Sequence, residues 1–124
     1  MRFFFYGTLM DIDLLSGVLG RPITPSALAP ALLRGYHRSA VHGADYPVVL
    51  SDPEAWVEGV VLAGVSVAER DRLVRYEGKN YELSRASAEF PDRPPRLVSF
   101  FEPKPGAFAV TGEPWSLAGW RNER

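Results

Sequence analysis

Two short stretches carry residue types that could do chemistry. Glu77 closes a helically patterned run. It falls four residues after Leu73 and three after Val74, so it follows the apolar stripe rather than the arginine-rich face. A helix C-terminus disfavours negative charge, and burial adds to that effect, so both raise the pKa of a carboxyl placed there. Such a group suits general acid/base work near neutral pH. A surface glutamate paired with Arg75 or Lys79 fits the same position equally well. The second stretch is Tyr6-Gly7-Thr8-Leu9. It would point the N–H groups of Gly7, Thr8 and Leu9 into one spot beside a helix start, where a small carboxylate or an oxyanion fits. The plainer alternative is an ordinary strand–helix turn that uses glycine for its geometry.

The elements that must position these residues follow from local pattern. Phe3, Phe4, Phe5 and Tyr6 have strong strand preference, and consecutive apolar positions predict a central strand buried on both faces. Asp11 is a good N-cap for a helix carrying Leu14, Leu15, Val18 and Leu19, with Asp13 as a first-turn charge. Residues 20–30 read as a loop. Ala31 to Val41 reads as a strand interrupted by Gly35. Val48-Val49-Leu50 reads as a short strand, Ser51-Asp52-Pro53 as a turn, and Trp56 to Val65 as another strand with bends at Gly59 and Gly64.

Ser66-Val67-Ala68-Glu69 is a capping box, and Gly78 is the stop signal of the helix it opens. Arg70, Arg72 and Arg75 form its solvated face. Tyr81 to Phe90 and Leu97 to Phe101 read as strands, and Pro114 as the first residue of a last short helix bearing Trp115 and Trp120. Strands outnumber helices and do not alternate with them. The expected fold is therefore α+β: one domain over residues 1–124, a small mixed or antiparallel β-barrel of about five to six strands with flanking helices.

Composition removes several classes of function. The chain has 124 residues, 46% of them hydrophobic, and a net charge of -1. That balance leaves no basic footprint for nucleic acid or an anionic membrane. No apolar run reaches membrane-spanning length, and the N-terminus lacks a signal-peptide pattern. With no cysteine there is no disulfide, thiolate catalysis or cysteine-bound zinc, which fits the cytoplasm. His37 and His42 are too few for a histidine-rich metal site, so neither a metal nor a cofactor is expected.

Phe5-Tyr6-Gly7-Thr8-Leu9, Tyr46-Pro47, Glu58-Gly59 and Tyr76-Glu77-Gly78 with Tyr81 together resemble the γ-glutamylcyclotransferase-like superfamily. The resemblance covers nearly the whole chain. It implies a small β-barrel flanked by helices, a Tyr6–Leu9 loop that holds a γ-glutamyl head group, and Glu77 as catalytic acid/base. Thr8 could donate a hydroxyl to substrate or simply fix the turn, and Tyr46 and Tyr81 could line the pocket or be packing residues. Members often carry arginine two residues after the second tyrosine, where Leu83 stands here; the nearest arginine is Arg85.

The implied reaction suits the inventory. The substrate's own α-amine attacks its γ-carbonyl and closes 5-oxoproline, so no serine or cysteine nucleophile is needed. The expected partner is a small γ-glutamyl molecule. The rival is a non-catalytic binder of a small carboxylate built on the same fold. The leaving group would be an amino acid, a polyamine or the ε-amine of lysine.

Overall fold

The aromatic run at the N-terminus is the central strand, β1 (Phe3–Phe5). The computed structural model describes residues 1–123. Four longer strands complete the sheet: β2 (Leu28–Ala40), β3 (Pro47–Leu62), β4 (Tyr81–Ala88) and β5 (Arg96–Pro103). Their order is β2-β3-β1-β5-β4. β1 runs antiparallel to β3 and parallel to β5, so the sheet is mixed.

Alternate residues of β1 serve two cores. Phe3 and Phe5 pack with Leu15, Leu19, Leu73 and Phe101 on the helix side. Phe4 and Tyr6 pack with Leu33, Val49, Val57 and Phe100 on the other face. The unbroken aromatic run is explained by this double burial, since each buried ring contributes roughly 1.5–3 kcal/mol.

The sheet is not a closed barrel, which corrects the expected architecture. β2 and β4 are opposite edges, and they meet at one antiparallel bridge between Leu32 and Glu89, with both hydrogen bonds at 2.9 Å. Closure needs a ladder along the strands; strand patterning alone does not reveal whether two edges pair or only touch.

β3 is also one strand where two were expected. Its pairing with β2 passes from Arg34↔Trp56 to Tyr36↔Ser51, leaving Asp52, Pro53, Glu54 and Ala55 opposite Gly35. This bulge accommodates Pro53, which a regular ladder would exclude. Gly35 has φ +88, the left-handed conformation that favours glycine. β2 in turn begins at Leu28, inside the expected loop, after a 3-10 turn over Pro25–Ala27.

Three α-helices are formed among the described residues. In α1 (Ile12–Leu19) the Asp11 carboxylate accepts from the Leu14 N–H at 3.0 Å. In α2 (Val67–Glu77) both capping-box bonds are present: Glu69 N–H donates to Ser66 Oγ at 3.1 Å and Ser66 N–H to Glu69 Oε1 at 3.0 Å. The Glu69 carboxylate also receives the Arg21 guanidinium, which holds its pKa below the usual range and ties the start of α2 to the chain leaving α1. Arg72 is not merely solvated: it donates to the Leu19 carbonyl at 2.6 Å, a cation on the C-terminus of α1. α3 (Leu117–Asn122) starts at Ser116, whose hydroxyl accepts from Gly119 N–H, so Pro114 and Trp115 precede it. No helix among the described residues is long and apolar enough to cross a membrane.

Ser66→Ala is expected to lower unfolding free energy by about 1 kcal/mol through loss of the cap. Chemical denaturation would measure this. Because Ser66 opens the helix that Glu77 ends, any activity per folded molecule should change little.

Candidate active site

The end of β1, the end of α2 and the start of β4 converge on a cavity of about 460 Å³. Every residue singled out in the sequence as a site candidate lines it: Tyr6, Gly7, Thr8 and Leu9 from the first turn, Tyr46 from the loop before β3, and Glu77 and Tyr81 from either side of the α2–β4 connection.

The first turn is built tightly. Thr8–Met10 forms a 3-10 turn, closed by Met10 N–H to the Gly7 carbonyl and Asp11 N–H to the Thr8 carbonyl, both at 3.0 Å. The N–H groups of Thr8 and Leu9 lie ahead of the first of these bonds, so the turn itself gives them no acceptor. A Cβ on Gly7 would lie 3.1 Å from Pro47 Cδ, which explains glycine where Tyr46-Pro47 packs against the turn. Arg38 braces the same segment: its Nη1 donates to the Tyr6 carbonyl at 2.9 Å and to the Glu58 carbonyl at 3.1 Å. Asp11 is held from the other side by Arg121 of α3 at 2.9 Å.

The tyrosines divide into two kinds. Tyr6 is buried, and its hydroxyl donates to the Phe101 carbonyl at 2.6 Å, so its side chain locks β1 to β5 while its backbone enters the turn. Tyr81 is half-buried, with its ring 5.1 Å from that of Phe108 and 6.5 Å from that of Phe101. Burial, and after it the nearby Glu77 charge, pushes the Tyr81 phenol up, so it stays protonated and able to donate. The Tyr46 ring meets Phe108 edge-on at 6.0 Å.

Glu77 is the last residue of α2, and Gly78, at φ +85, turns the chain away beyond it. No ion pair or side-chain hydrogen bond holds its carboxyl among the described residues, so the surface pairing with Arg75 or Lys79 is not formed. Burial pushes its pKa to about 7. A carboxyl balanced between its two protonation states can both take and return a proton.

Glu58 and Glu82, the other carboxylates that patterning leaves in play, are exposed and absent from this cavity. His37 stands 3.5 Å from Asp52, and His42 is exposed; no group of three or more potential metal ligands forms among the described residues. Sequence patterning missed Asp45, Asn80, Phe108 and Trp120, which also line the cavity. Asn80 lies inside the Glu77–Tyr81 spacing that draws attention to its neighbours. Phe108 comes from a segment with no local signal and Trp120 from the expected last helix; both arrive through tertiary packing.

The central strand of a five-stranded mixed sheet thus delivers a glycine turn to the cavity that Glu77 lines. The γ-glutamyl cyclotransferase, AIG2-like family model matches residues 3–117, and the chain belongs to that family. It is 35% identical over 79 residues to protein AIG2 C of Arabidopsis thaliana, a match covering 64% of this chain and 46% of that protein. The chain thus spans about half the length of the curated relatives it matches. A solution structure of an Arabidopsis thaliana protein superposes with a TM-score of 0.75 at 27% identity, covering 98% of this chain and 73% of the other. A structure described as γ-glutamyl cyclotransferase shares the fold, with a TM-score of 0.66 at 13% identity, over 89% of this chain and 69% of the other.

Proposed function

We infer that the protein cyclises a γ-glutamyl amide to 5-oxoproline and releases the amine. The observation that carries this reading is the half-buried Glu77 carboxyl, with its pKa raised to about 7, lining the same cavity as the Tyr6–Leu9 turn. Family membership supports the reaction class.

The steps follow from that arrangement. The turn's N–H groups receive an anion, either the substrate's α-carboxylate or the oxyanion that develops on the γ-carbonyl. Glu77, as carboxylate, takes a proton from the α-ammonium. The freed amine attacks the γ-carbonyl carbon, a new C–N bond closes the five-membered ring, and the bond to the leaving nitrogen breaks. Glu77 returns its proton to that nitrogen. Overall the α-nitrogen gives up two protons and the departing amine gains two, so none is consumed. Holding both reacting groups in one folded molecule lowers the barrier through proximity. The protonated Tyr81 phenol can donate to Glu77 or to the substrate. The absence of cysteine suits a cytoplasmic setting.

The reaction requires a free α-amine and a γ linkage. Incubation with a γ-glutamyl amide, its N-acetylated form and the α-linked isomer is expected to give 5-oxoproline from the first alone. Equal turnover of the N-acetylated compound would remove the amine as nucleophile and overturn the proposal.

A further inference from the structure

The cavity walls carry carboxyls, Glu77 and Asp45, and among the described residues no lysine, arginine or histidine. A carboxylate entering there meets no cation. The positive charge stands outside, behind the first turn. Arg38 of β2 is half-buried, and its Nη1 spans the point where β1 leaves β3, donating to the Tyr6 carbonyl at 2.9 Å and to the Glu58 carbonyl at 3.1 Å. It does not line the cavity of Glu77. It lines a second one, of about 360 Å³, with Trp56, Glu58 and Trp115. The guanidinium lies over the Trp115 ring at 5.7 Å, and that ring is fixed in turn by the bond from its Nε1 to the Asp45 carbonyl at 2.8 Å. Burial draws the Arg38 pKa down and the Glu58 charge opposes this, but a guanidinium stays protonated in either case.

The Tyr6 carbonyl shares a peptide plane with the Gly7 N–H. That peptide is trans, so the two groups point in opposite directions. With the carbonyl drawn to Arg38, the N–H is turned away from it, and both Tyr6 and Gly7 line the cavity of Glu77. None of the turn's own hydrogen bonds uses this N–H. A charged donor on the carbonyl also polarises the peptide and strengthens its N–H as a donor. Resting on the cyclisation reading, we propose that Arg38 is a positioning residue for the reaction: through the Tyr6–Gly7 peptide it aims the Gly7 N–H at the substrate's α-carboxylate and supplies the positive charge that the cavity walls lack. Arg38 itself touches no substrate.

Two lactams of the same shape test this: 5-oxoproline, a carboxylate, and its neutral amide, 5-oxoprolinamide. The affinity for each is measured by NMR titration with the wild-type chain, Arg38→Gln, Arg38→Lys and Arg34→Gln. Glutamine at 38 removes the charge, whereas lysine keeps it. Arg34 lies on the same strand but is exposed and paired with Glu89 at 2.6 Å, so its variant controls for net charge. The wild-type preference for the carboxylate over the amide is expected to fall about tenfold in Arg38→Gln at low salt. Arg38→Lys should recover most of it, and Arg34→Gln should leave it unchanged. Because the readout is a ratio within one variant, partial misfolding cancels. In turnover of a γ-glutamyl amide, Arg38→Gln should raise KM by a similar factor with kcat within a fewfold of wild type, a split that a general loss of fold would not give. An unchanged ratio in Arg38→Gln, or an equal fall in Arg34→Gln, overturns the role of Arg38 while leaving cyclisation standing. A wild-type chain that binds neither lactam and releases no 5-oxoproline overturns the cyclisation reading, and this inference with it.

Discussion

Glu77→Gln is expected to lower kcat by about 10²–10⁴-fold, towards the upper end because one group serves two proton transfers. Glutamine keeps the size and hydrogen-bonding reach of glutamate but cannot take a proton from an ammonium. KM should therefore stay within a fewfold of wild type. The wild-type pH profile carries the same signature. The carboxylate form does the work, and burial sets its pKa at about 7, so kcat/KM should fall as pH drops below about 7. Folding favours the protonated form of a carboxyl whose pKa it raises, so the wild-type chain loses stability as pH rises from the unfolded value through about 7. The neutral amide removes that cost. Above pH 7 the variant should melt no lower than wild type, which separates lost chemistry from lost fold. Near-wild-type turnover in a folded Glu77→Gln chain would take Glu77 out of the mechanism.

Gly59→Ala is expected to be among the most destabilising single-methyl changes in the chain. Gly59 lies in regular pairing with Ala31, so it is not the bend that a glycine in a strand invites one to read. A Cβ there would stand 2.3 Å from the Phe5 carbonyl oxygen and 2.6 Å from Cζ of Phe4, both in the central strand. The Phe5 carbonyl cannot yield without moving β1, and with it the turn that begins at Tyr6. Overpacking of this kind costs about 1–3 kcal/mol, and a backbone contact belongs at the upper end. For a domain of this size the melting temperature should drop by roughly 10 °C. Gly17→Ala is the contrast. Gly17 is exposed in α1 with nothing within 4 Å of a new Cβ, so alanine should stabilise by roughly 0.5–1 kcal/mol. Equal melting temperatures for Gly59→Ala and wild type would contradict the close approach of β1 and β3 at this point.

What the sequence makes legible is what local chemistry decides. The double burial of β1, the Asp11 cap, the Ser66–Glu69 box and the Gly78 stop each rest on a few adjacent residues, and each is in place. Glu77 could be aimed inward from helical period alone, although the same period left a surface pairing open until the cavity decided. The breaks came where distant segments decide. Asp52-Pro53 has turn chemistry, and Asp52 does accept from the Glu54 N–H at 3.0 Å. Yet the β2 partner absorbs those residues as a bulge and the strand continues. Whether the sheet closes depends on how far β2 and β4 curl towards each other, and no strand's own pattern encodes that. Phe108 reaches the cavity from a segment with no local pattern, and the last helix was legible while the docking that brings its Trp120 to the cavity was not.

The identity of the product tests the central claim most directly. A γ-glutamyl amide that the chain turns over should yield 5-oxoproline and free amine in equal amounts, with no glutamate and no oxygen drawn from labelled water, because the nucleophile is the substrate's own nitrogen. Glutamate carrying solvent oxygen in its γ-carboxylate would mean that water attacks instead, and would contradict intramolecular cyclisation in this cavity.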